Sequence, residues 1–307
     1  MIVEAASAAE LQDLGARAID ELRSGEGDLE LRLAPGRYEG VPIGLGTVGP
    51  AIGRLILRAA DPDRPPDLSD LTIRLRAEHV GLEHLVIAAT RRAMPIVALE
   101  GHRVEMRRCA MVGCHLEGPP GGRLVELIAS GDGATATLED CWFVDNHAPG
   151  HGLALIAADG YRAPFTRVEL TGVAWVANDV SVTLAPRAET VWLTRCLAIA
   201  PRDGADDAIL LALAAPGTAA TFDGCLLDWP AVAGLVAPWS DGARIRRSIL
   251  ACAPGPDSHI GLDETTFAPP SPDPQRAILD ARAAASRAAR PDLRRLAAAL
   301  GIELSVA

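Results

Sequence analysis

A parallel β-helix, an all-β solenoid of about eight coils with a helical segment at each end, is the fold class this 307-residue sequence predicts. Three observations predict it. A short pattern (apolar, any, apolar, any, any, small apolar, any, apolar) recurs between residues 79 and 250. A second apolar strand lies between successive copies, and Gly, Pro, Asp and Asn fill the joints. The apolar period is two, and Gly or Pro interrupts every ten residues or so, which excludes helical repeats.

The first element is a helix. Ser7-Ala-Ala-Glu10 reads as a capping box, and Leu11, Leu14, Ala18 and Leu22 follow at helical spacing before Gly25 and Gly27. Leu29, Leu31 and Leu33 then alternate with charged residues as a strand does, ahead of a Pro35-Gly36 turn. The pattern copies begin at Val80, Val104, Ala136, Val168, Val191, Ala220 and Ala243, at intervals of 24, 32, 32, 23, 29 and 23 residues. The intervening strands are Ile96–Leu99, Leu124–Ile128, Leu153–Ile156, Val180–Leu184, Ile209–Leu213 and Leu235-Val236. A leucine-rich repeat would show a fixed Leu/Asn ladder, which is absent. Stacking at ~4.8 Å per coil gives a rod near 40 Å.

The end of the chain has a different character. Residues 253–275 are rich in Pro, Asp and Gly, and two helices are expected over 276–290 and 291–300. Pro291 suits a helix start, Leu293, Leu296 and Leu300 make a stripe, and Gly301 suits the stop. Such thin Ala-Arg helices need a surface. That surface is the last coil, which they would cap, or another chain. The division is therefore 1–27 capping helix, 28–252 β-helix, 253–275 linker and 276–307 helical tail.

Composition narrows the function classes. With 29 basic and 40 acidic residues the net charge is −11, which argues against a nucleic-acid partner. Every basic residue is Arg; without lysine, Schiff-base and P-loop chemistry are excluded. No apolar stretch approaches the ~18 residues of a membrane span. The first residues lack the basic and apolar regions of a signal peptide, so a cytoplasmic location is expected.

The sixth position of the pattern holds Leu85, Cys109, Cys141, Val173, Cys196, Cys225 and Ser248, one inward column. The cysteines are expected as free thiols, although neighbours such as Cys109 and Cys141 could stack within disulfide reach. Cys109, Cys114 and His115 could be grouped as metal ligands, but an inward Cys109 and the absence of a matching pair argue against this. No metal or other cofactor is expected.

Ala34-Pro35-Gly36-Arg37-Tyr38, Leu55-Ile56-Leu57-Arg58-Ala59-Ala60-Asp61-Pro62 and Val80–Ile87, behind the helix of Ser7–Arg23, resemble the first coils of the pectate-lyase-like superfamily. The resemblance spans about residues 7–250. It implies a right-handed β-helix and leaves activity open, because that fold carries lyases, hydrolases, esterases, epimerases and non-catalytic proteins. Arg162-Ala-Pro-Phe-Thr-Arg167 matches the superfamily's R-x-P-x-x-R letters, in which the arginines act as base and substrate clamp. Trp142–His147, containing Asp145, is a distorted echo of V-W-I-D-H. The two lie less than one coil apart here, where the family needs several. Gly150-His151-Gly152 matches a hydrolase G-H-G, without the paired-aspartate motifs that precede it. Gly44–Gly49 satisfies G-x-G-x-x-G, but a strand follows where a dinucleotide site needs a helix, so a glycine-rich turn is expected.

Nine to eleven residues after each copy begins, the chain turns. Stacking would align Cys114 with His115; Asp145, Asn146 and His147; Asn178 and Asp179; Arg202 and Asp203; and Asp228 with Trp229. This ledge reads either as a ligand or partner groove or as Asn/Asp residues that end strands through side-chain-to-backbone bonds. Two functions stay open. The first is a non-catalytic binding or scaffold module of a cytoplasmic assembly, with a protein partner or self-association through the C-terminal helices. The second is a polysaccharide lyase or glycoside hydrolase acting on acidic polysaccharide, with Asp145, His151, Arg162 and Arg167 as its catalytic set.

Overall fold

A computed structural model describes residues 1–11, 13, 27–40, 42–46, 52–92, 95–117, 123–148, 154–159, 163–200, 208–213, 217–231, 234–237, 242–253, 260–268, 271 and 274–302. Among them the strands form sheets of eleven, ten, seven and four strands, and every pairing is parallel. The chain passes from the eleven-stranded sheet to the ten-stranded one, then through the short four-stranded sheet where that exists, to the seven-stranded sheet and back. This cyclic wiring is compatible with a parallel β-helix.

Sequence phase sets the register. Val80, Val104, Ala136, Val168, Val191, Ala220 and Ala243 are successive Cα partners along the eleven-stranded sheet. Their alternate neighbours point inward, so Leu82, Met106, Leu138, Leu170, Leu193, Phe222 and Ile245 fill the interior. The outer side of this sheet carries cross-strand ion pairs such as Arg58 with Glu83 (3.4 Å) and Arg107 with Glu139 (3.0 Å). The sixth-position column is buried throughout. Its thiols donate to carbonyls, Cys141 to Glu139 O (3.4 Å) and Cys196 to Leu170 O (3.4 Å), and all six cysteines are free. Burial pushes the Cys109 thiol up to about 12, so no reactive thiolate forms there at neutral pH.

Two of the corners in the circuit use residues in the left-handed region. Between the eleven- and ten-stranded sheets these are His84, Arg108, Asp140, Gly172, Arg195, Gly224, Arg247 and Glu264. After the ten-stranded sheet they include Ala89, Gly113, Asp145 and Ala177. In the repeated pattern the first column is always the fifth position.

At the N-terminus a strand that the sequence reading lacked, Ile2–Ala5, pairs with Gly27–Leu33. Ser7 opens a helical turn: its Oγ accepts from Glu10 N–H (3.2 Å) and the Glu10 carboxylate accepts from Ala6 N–H (2.7 Å). Residues 14–26 of the expected helix lie outside the described residues. The buried Tyr38 ties the next turn, its hydroxyl donating to Ala5 O (2.8 Å). Ile43–Gly46 is a strand paired with Ile73–Arg76, so the described part of the G-x-G-x-x-G segment is neither the expected turn nor a helix start.

The C-terminal segment forms helices α1 (Gln275–Ala285) and α2 (Leu293–Ala299). Helix α2 is capped by Asp292, not started at Pro291: the Asp292 carboxylate accepts from the N–H groups of Arg294 and Arg295. The helices are packed on the outer side of the ten-stranded sheet. Ala277, Ile278, Ala281, Ala285, Leu296 and Leu300 form one apolar cluster with Val86, Trp142, Val144, Val176, Leu197 and Leu226. Where the sequence left open the last coil or another chain, the helices lie along the side of several circuits. Those sheet residues face outward and are apolar, so burying them favours this placement. Trp142 Nε1 donates to Ala289 O (2.5 Å), and Arg290 pairs with the buried Asp140 (3.1 Å). None of the described helices is long and apolar enough to cross a membrane.

Candidate functional site

The four-stranded sheet is built from two-residue strands, Arg91-Arg92, His115-Leu116, His147-Ala148 and Asp179-Val180, with Arg91, His115, His147 and Asp179 in register. The left-handed corner residues Ala89, Gly113, Asp145 and Ala177 turn the chain onto it. One residue separates each corner from its strand, and it points inward: Thr90, Cys114, Asn146 and Asn178 are all buried.

This inner column is a polar ladder. Asn146 Oδ1 accepts from Cys114 N–H (3.0 Å), and Asn178 Oδ1 accepts from Asn146 N–H (3.0 Å) and Nδ2 (2.8 Å). The amide of Asn146 donates to Met111 O (3.1 Å) and that of Asn178 to Phe143 O (2.8 Å). Each side chain satisfies backbone groups that the bend takes out of the sheet ladder.

The outer row is different. His147 Nδ1 lies 2.5 Å from Asp179 Oδ2, and the His115 and His147 ring centroids are 4.5 Å apart. Burial, then the neighbouring His147 and Arg91, pushes the His115 imidazole below its ordinary value. With its Nδ1 proton held by Asp179, an imidazole presents Nε2 as a proton acceptor. Arg92 braces the row by pairing with Asp70 (2.6 Å), and Arg91 approaches Glu117 (3.9 Å). The arrangement can hold a polar or anionic group, or exchange a proton.

Of the ledge residues, His115, His147 and Asp179 thus come together on one surface. Asn178 is turned inside. Asp145 sits at the corner, where Arg282 of α1 pairs with it. Asp228 and Trp229 belong to the ten-stranded sheet; both are buried, and Trp229 Nε1 donates to Ala208 O (3.1 Å). Among the described residues the short sheet has no strand beyond Asp179-Val180. Arg167 lies on the outer side of the eleven-stranded sheet, paired with Glu169. His151, Arg162, Arg202 and Asp203 lie outside the described residues. Cys109 and Cys114 keep their thiols on backbone carbonyls, and among the described residues no three His, Cys, Asp or Glu side chains group as metal ligands.

Sequence reasoning missed Arg91 and Arg282. Carrying the register back to the copy at Val80 would have placed Arg91 in line with His115. No local signal marks Arg282, because its partner is 137 positions away in the chain. Comparison with protein-family models, curated proteins and solved structures finds no match to this chain.

Proposed function

We propose that the chain is a right-handed parallel β-helix of about eight coils, pectate-lyase-like in kind and capped by its N-terminal helix, that serves as a non-catalytic binding or scaffold module in a cytoplasmic assembly. One observation carries the functional part: the described members of the acid–base set are already engaged, one at a corner and one on the eleven-stranded sheet. Asp145 is paired with Arg282 of the chain's own tail, and Arg167 with Glu169. The inward faces of the C-terminal helices are occupied, so self-association or a protein partner would engage their outward side, where Leu279 is 60% exposed.

Polygalacturonate incubated with the protein should release neither unsaturated uronides nor reducing ends, and sedimentation should show an association that Leu279→Glu abolishes. Cleavage by the wild type, or sedimentation as a monomer at all concentrations, would overturn the reading. The second reading, an enzyme on acidic polysaccharide, is favoured by the His147–Asp179 pair. If cleavage is found and His147→Ala removes it, that reading stands.

A further inference from the structure

The other corner of the circuit has its own architecture. A cavity of about 1580 Å³ opens where α2 faces the left-handed column between the eleven- and ten-stranded sheets. Its inner wall is Asp140, Gly172, Arg195, Gly224 and Arg247, one residue from each of five successive circuits. Glycine alternates with charge. A Cβ on Gly172 would lie 2.5 Å from Asp140 Oδ1, and one on Gly224 would lie 3.9 Å from Arg195 Cγ. Asp140 and Arg195 therefore each lie over the bare glycine of the next circuit. Arg195 and Arg247 hold φ of 52° and 48°, a conformation that costs a side-chain-bearing residue about 1–2 kcal/mol. Glycine would occupy both positions without that cost.

The charges do not cancel. Asp140 is committed to Arg290, and Asp292 to the N–H groups of α2. Arg247 holds Asp223, its Nε 2.8 Å from Oδ1. The lining holds four arginines against three acids, and its Arg195 on the inner wall and Arg294 on the α2 wall are both exposed and neither is in an ion pair among the described residues. In a chain of net charge −11 this is a local excess of guanidinium. Planar guanidinium groups on facing walls match oxyanions in bidentate geometry, and Thr266 adds a hydroxyl.

We propose that this cavity binds a small molecule carrying two or more carboxylate or phosphate groups, clamped between Arg195 and Arg294. The site is separate from the histidine row and stands whether or not the chain is an enzyme. The test is calorimetric titration of the full chain at low ionic strength with citrate and with pyrophosphate. At least one should bind, and binding should weaken with salt. Arg195→Ala and Arg294→Ala should each weaken it about tenfold or more, Arg195→Lys less, and Arg244→Ala, on the outer side of the eleven-stranded sheet, not at all. An unchanged thermal melt of the variants would show that they fold. Citrate alone would identify a polycarboxylate, pyrophosphate alone a phosphate ester. Failure of both to bind the wild type at millimolar concentration, or wild-type affinity in the double variant, would overturn the proposal.

Discussion

A single buried amide shows how tightly the bends are specified. Asn146 closes bonds to the circuits before and after it, so Asn146→Ala strands the Cys114 N–H in a dry interior and removes a second donor from the Met111 carbonyl. The expected loss is about 2–4 kcal/mol, read from the urea midpoint; a loss within error would mean that water replaces the amide. Protonation works at the same scale. Burial lowers both His115 and His84 below the ordinary 6.5, with the charges of His147 and Arg91 adding for the first and Arg108 for the second. In the unfolded chain these imidazoles take up protons near 6.5, while the folded chain resists until lower pH. The unfolded state therefore binds more protons in that window, and stability falls as pH drops through it. His115→Gln should flatten this slope in melts taken from pH 7 to pH 5, and an unchanged slope would remove His115 from the account.

At the scale of elements, what could be read depended on whether the signal was local. The sixth-position column and the in-register copies followed from spacing alone, as did the Leu296–Leu300 stripe. The seat of the tail did not, although its trace is in the chain. Trp142-Phe143-Val144, Ala174-Trp175-Val176 and Leu197-Ala198-Ile199 are buried at every position, where a sheet with one wet face would alternate. Such runs announce that something covers the outer face. Part of the candidate site was equally hidden: His115, His147 and Asp179 follow from register, but inward Asn178 and outward Asp179 are adjacent, and only the corner geometry separates them. Deleting residues 276–307 should therefore bare Trp142, Val144, Val176 and Leu197 along the side of the molecule. Raised binding of a hydrophobic dye and a lower melting temperature are expected, with the Trp142 indole losing its acceptor. A truncated chain that melts and stains as the full one does would place the helices elsewhere in solution.

The whole molecule is a stack in which each strand depends on its neighbours. Interior strands are bonded on both sides, whereas Ile2–Ala5 and Gly261–Asp263 each have one partner in the eleven-stranded sheet. The last of these is exposed at every position, with its Leu262 39% and nearby Phe267 45% accessible. Stability in such an array is a sum of nearest-neighbour terms, so it should fall toward the ends. The tail modifies this. It braces the outer side from the circuit of Val86 to that of Ala251, and the Asp140–Arg290 and Asp145–Arg282 pairs fix it to the middle. Native-state hydrogen exchange should accordingly find the slowest amides in the strands of Val104–Leu138 and Val168–Leu193, and the fastest among strand amides in Ile2–Ala5 and Gly261–Asp263. In the chain lacking residues 276–307, protection of Trp142–Val144 should drop toward that of the ends. Uniform protection from first strand to last, in either chain, would mean that the circuits unfold as one unit and that nearest-neighbour stacking does not govern this molecule.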